Sequence, residues 1–126
     1  MSIEAKTGLV VVASHYESGG QRAEELMEAA VQSMKDRMVV PVVGSKTVWD
    51  AADAIDVCKE FKEQGVDSLT VILSTWVTDS LLYVLVHEMQ IPVVFWAVPY
   101  TETFSIGCVQ HFGSALTTHG IPYDYV

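Results

Sequence analysis

Gly8-Leu9-Val10-Val11-Val12-Ala13, GLVVVA, is an uninterrupted apolar run rich in β-branched residues. A strand with one wet face alternates apolar and polar side chains. A run without alternation is covered on both faces, which is the pattern of a parallel sheet lying between helices. Working outward, Ser18-Gly-Gly-Gln21 has the spacing of a capping box and predicts a helix start. Ala23, Leu26, Met27, Ala30, Val31 and Met34 then recur at the spacing of one helical face. Met38 to Val43 predicts a second strand, closed by Gly44. Thr47-Val-Trp-Asp50 repeats the capping pattern before a face of Ala51, Ala52, Ile55, Cys58 and Phe61, and Gly65 ends that helix.

The third unit reads TVILSTWVTDSLLYVLVHEM over Thr70 to Met89. It predicts a strand from Ser68 to Ser74 and a helix from about Val77. Apolar residues from Leu81 to Val86 surround that helix, so burial on more than one side is expected, and in so small a domain another domain or subunit would supply it. Ile91 to Val98 is the most apolar strand, with Pro92 tolerated at its start. Phe104, Cys108, Val109, Phe112 and Leu116 mark a fourth helix ended by Gly120, and Ile121 to Val126 a short last strand. Five strands alternating with four helices, linked by right-handed crossovers, predict a three-layer doubly wound α/β fold. The expected order is the flavodoxin-like or Rossmann-like 2-1-3-4-5. No fifth helix follows the last strand, so the chain is expected to be one α/β domain, 1–126, belonging to something larger.

The chain has 126 residues, long enough for one core and too short for two. Sixteen acids against seven Lys plus Arg leave a formal charge of −9, which repels nucleic-acid phosphates and anionic membrane surfaces. No nucleic acid and no membrane are expected as partners. Without a basic segment followed by a long apolar one at the N-terminus, the expected location is cytoplasmic. Cys58 and Cys108 are not spaced as a redox or zinc pair and are expected to be reduced and buried.

In such a sheet ligands bind beyond the carboxyl ends of the strands, where the winding reverses. That places Ser14 to Gly20, Ser74 to Asp79 and Pro99 to Thr103 side by side. Trp76 at the end of the third strand is either core filling or the wall of a ligand site. His15 and Tyr16 leave the sheet at the end of the first strand, where an imidazole can bond or move a proton near neutral pH. An exposed loop histidine without a role is as common. His87, His111 and His119 read as surface or interface residues. His15 and Glu17 alone fall short of the ligands a catalytic metal needs. No GxGxxG, GK[ST] or GxSxG stands in the sequence, and Ser74-Thr75 occupy the place of a receiver aspartate. Hydroxyls and glycines in SHYESGG before a helix could hold an anion.

TWVTDSLLYVL, IPVVFWAVP and ETFSIGCVQHFGSAL, with GLVVVASHY as opening strand and loop, resemble the N-terminal domain of the L-fucose isomerase and L-arabinose isomerase superfamily. The resemblance implies an oligomeric aldose–ketose isomerase using a divalent metal, often Mn2+, whose ligands lie in later domains. It implies no cofactor bound by this chain alone, no catalytic residue in it and an isolated chain that is inactive. It also implies a sugar at a subunit boundary, with Trp76 facing the sugar, His15 and Tyr16 on the opening loop, and Thr75 and Thr78 near enough to bond a hydroxyl or cap the third helix. Two other readings stand beside it. One is a flavodoxin-like protein holding flavin mononucleotide between Trp76 and Tyr100, with Ser14, Ser18 and Gly19 near the phosphate. The other is a noncatalytic association module.

Overall fold

The computed structural model describes residues 5–126. Five parallel strands, β1 (Thr7–Val12), β2 (Val42–Val43), β3 (Ser68–Leu73), β4 (Val93–Ala97) and β5 (Tyr123–Tyr125), form one sheet in the order β2-β1-β3-β4-β5. Between them run α1 (Ala23–Asp36), α2 (Ala51–Glu63), α3 (Asp79–Met89) and α4 (Ser105–Thr118). This is the expected α/β architecture and strand order.

The unbroken run in β1 is explained by its place. Val10 and Val12 point into a cluster with Val71, Leu73, Val93 and Phe95 and the inner faces of α2, α3 and α4. Leu9 and Val11 point the other way, onto Ala23, Ala30 and Ile72, where α1 packs Leu26, Met27, Val31 and Met34. Helices on both faces leave no wet side that would require polar alternation. Among the described residues only α1 covers its face, and there Val94 and Trp96 stay half-buried.

Several local expectations are corrected. The second strand shrinks from Met38–Val43 to two residues, because Met38 takes a left-handed turn with φ 64° and Pro41 has no amide to give a ladder. Ser18 caps no helix: the chain passes through Gly19 at φ 110° and a 3₁₀ turn, Gly20–Arg22, before α1 begins. Gln21 does reach back, but its Oε1 accepts the amide of Gly19 at 3.2 Å. The second cap is Asp50, not Thr47. Asp50 Oδ1 accepts from Asp53 N–H at 2.8 Å, and Asp53 Oδ2 accepts from Trp49 N–H at 3.0 Å. The face of α2 that packs into the core is Ala54, Val57, Cys58 and Phe61, and Ile55 is left 51% exposed. Gly65 ends α2 at φ 70°, as expected.

Candidate functional site

Because α1 leaves β1 toward one face of the sheet and α3 leaves β3 toward the other, the loops after these adjacent strands diverge and open a crevice. Backbone groups at the strand ends have lost their ladder partners there, and buried hydroxyls replace them. Ser14 N–H donates to Thr75 Oγ1 at 2.8 Å, and that hydroxyl donates to the Trp76 carbonyl at 2.8 Å. Ser74 Oγ donates to the Gly19 carbonyl at 2.7 Å. Trp76 N–H donates to the Thr103 carbonyl at 2.7 Å, and Ser105 Oγ donates to the Leu73 carbonyl at 2.6 Å. The loops after β1, β3 and β4 are thus tied together, as their positions in the chain led one to expect. Thr75 is fully buried, with its hydrogen given to the Trp76 carbonyl and one lone pair to the Ser14 amide, so it is out of reach of a sugar in the crevice.

The crevice holds about 330 Å³ and is lined by Ser14, Tyr16, Trp49, Asp50, Thr78 and Ser80 around a floor that includes Ala13 and Val77. Tyr16 stands 97% exposed at its edge. The His15 ring stacks on the Trp49 indole, centroids 4.1 Å apart and planes 6° from parallel. Thr78 Oγ1 lies 3.0 Å from Ser80 Oγ and makes no cap bond to the start of α3.

Trp76 sits elsewhere. It is half-buried on the α3–α4 side, tilted 38° against His111 at 5.5 Å, and does not line the crevice. His111 is itself held by Asp79, Nε2 to Oδ2 3.0 Å. The structure therefore brings Tyr16 to the crevice and His15 to its wall, while Trp76 faces a different neighbour. The aromatic that does form the wall is Trp49, which sequence reasoning passed over as part of a cap. Its signal was available: a Trp directly between the second strand and a helix N-cap stands at the same carboxyl edge of the sheet.

Among the described residues no Lys or Arg lines the crevice, and Asp50 is its one carboxylate. Arg22 lies across the β1 loop, 4.2 Å over the Tyr100 ring and 2.9 Å from Glu102 Oε1. Glu102 is held below the usual carboxylate range by its own backbone amide first and by Arg22 second. An anion at the start of α1 would thus meet a Gly19 amide already given to Gln21 and a guanidinium paired through Nη2 with Glu102, its Nη1 buried without a partner among the described residues.

Among the described residues no three His, Cys, Asp or Glu side chains gather to hold a metal ion. The divalent ion that the resemblance implies therefore does not fit these residues alone. Cys58 and Cys108 are free and buried, and burial pushes both thiols up to about 11. Among the described residues no helix is long and apolar enough to cross a membrane. Compared with protein-family models and with curated proteins, the chain matches none.

Proposed function

We propose that this chain is the N-terminal, substrate-rim and association domain of a cytoplasmic, metal-dependent aldose–ketose isomerase of the L-fucose and L-arabinose isomerase kind, inactive by itself. The observation that carries the reading is the crevice. Its wall is the Trp49 indole backed by His15, its edge is the Tyr16 phenol, and its rim carries the hydroxyls of Ser14, Thr78 and Ser80 and the Asp50 carboxylate. A sugar has an apolar C–H face and a ring of hydroxyls. The first fits an aromatic plane, and the second fits neutral hydroxyls and one carboxylate better than a cationic pocket. Trp76 lies at the same end of the sheet, outside this crevice and against His111. Association is supported by Val94 and Trp96, half-buried on the face that α1 covers alone.

The flavin reading needs Trp76 and Tyr100 to face one ring. Trp76 lies against His111 and Tyr100 under Arg22, so the sugar reading is preferred.

The test is a titration of the ¹⁵N-labelled chain with L-fucose and L-arabinose. Saturable amide shifts at Ser14–Glu17, Trp49–Ala51 and Thr78–Ser80 are expected, with a dissociation constant in the millimolar range, about 4 kcal/mol of binding. No isomerisation is expected with or without Mn2+, and light scattering should report an oligomer. Shifts that are absent or lie elsewhere, or a yellow protein carrying flavin, would overturn the proposal.

A further inference from the structure

A second cavity of about 630 Å³ opens at the amino ends of β4 and β5, at the end of the sheet away from the crevice. Its walls are Tyr83, Val86, Ile91, Pro92, Ile121 and Pro122, and its polar lining is His87, Gln90 and His119. The volume falls within the 300–1,000 Å³ typical of small-molecule sites.

His87 and Gln90 bring N–H donors to this lining, and His119 brings it an acceptor. His119 Nδ1 lies 2.8 Å from the Ala115 carbonyl oxygen, and a carbonyl only accepts, so the ring hydrogen sits on Nδ1. In the neutral imidazole Nε2 is then a lone pair, an acceptor. The Tyr83 ring stands edge-on to both Phe112 at 4.9 Å and His119 at 6.1 Å, which holds an aromatic wall beside that acceptor. The carboxyl ends of α3 and α4 meet here, at Gln90 and His119, and bring the negative ends of two helix dipoles to one place. Among the described residues no Lys or Arg lines the cavity to offset them.

We propose that this cavity binds a small flat aromatic molecule carrying a hydrogen-bond donor, a phenol or an aromatic amine, and rejects an aromatic carboxylate. The ring lies between Tyr83 and the Ile91, Pro92, Ile121 and Pro122 side chains, and the donor meets His119 Nε2. The site is separate from the sugar crevice and does not depend on it.

The matched probes are 2-naphthol and 2-naphthoate, titrated into the ¹⁵N-labelled chain. The expected result is saturable shifts from 2-naphthol confined to His87–Ile91 and His119–Ile121, with 2-naphthoate at least about tenfold weaker. His119→Phe, at an exposed position, keeps a ring and removes the acceptor, and should weaken 2-naphthol by about tenfold, the scale of one hydrogen bond. Ile121→Trp should crowd the place of the ring in the cavity and weaken the 2-naphthol shifts. The proposal is overturned if 2-naphthol gives no saturable shifts here, if 2-naphthoate binds as well, or if His119→Phe binds as tightly as the parent.

Discussion

Trp49 and Trp76 are each an indole at the carboxyl end of a strand, yet their neighbours give them different work. Trp49 has His15 stacked on one side and Gly20 close by, where an added Cβ would lie 2.9 Å from its ring carbons. Trp49→Ala should weaken sugar binding by about 1 kcal/mol, the scale of one aromatic contact, whereas Trp76→Ala should change it less in the isolated chain. Parallel titrations with L-fucose distinguish them, and equal losses would place both indoles on the ligand. Thr75 is a residue whose type misleads. Thr75→Val keeps the shape but strands the Ser14 amide and the Trp76 carbonyl, so urea unfolding should show a loss of about 1–3 kcal/mol. The pattern of sugar-induced shifts should survive.

At the scale of elements, β5 is held by little: three residues pair with β4, and the Tyr123 ring lies directly over Gly113 of α4. A Cβ at Gly113 would come closer to the Tyr123 side chain than real Cβ contacts come. Gly113→Ala should therefore lift β5 from α4 at a cost of about 1–3 kcal/mol. Faster amide exchange at Ala97 and Val126, whose N–H groups bond across β4 and β5, is the readout. Unchanged exchange there would show that α4 moves instead. The same scale explains which boundaries were legible. Gly65 and Gly120 announce their helix ends because each sits at positive φ, a conformation glycine adopts without strain. Met38 also sits at positive φ without being glycine, so nothing in its type warned that the second strand would begin four residues later.

For the molecule as a whole, the two buried thiols set an alkaline limit. Both pKa values stand raised to about 11, chiefly by desolvation of the thiolate. The folded state therefore binds these protons more tightly than the unfolded one. That contribution is fully present below the unfolded thiol pKa, about 8.5, and is lost as pH rises through about 11. Thermal melts should fall over that window, less steeply in Cys58→Ala/Cys108→Ala, where any drop that persists comes from other groups. At neutral pH both thiols should react with a disulfide reagent only as fast as the chain unfolds.

Apolar periodicity in the chain determined the alternation of buried strands and helices and the face of α1, because each depends on which residues lie in register along one element, and the strand order was then the commonest winding of such a chain. The three loops that meet at the carboxyl edge follow from that order too. Which side chains face a ligand was decided only in three dimensions. The hydroxyls of Ser74, Thr75 and Ser105 are drawn inward by the Gly19 carbonyl, the Ser14 amide and the Leu73 carbonyl, backbone groups of other segments, and Trp49 or Trp76 becomes a wall or a packing residue according to whether His15 or His111 stands beside it. A polar or aromatic side chain at a strand end satisfies whichever partner is nearest, and that partner lies far away along the chain.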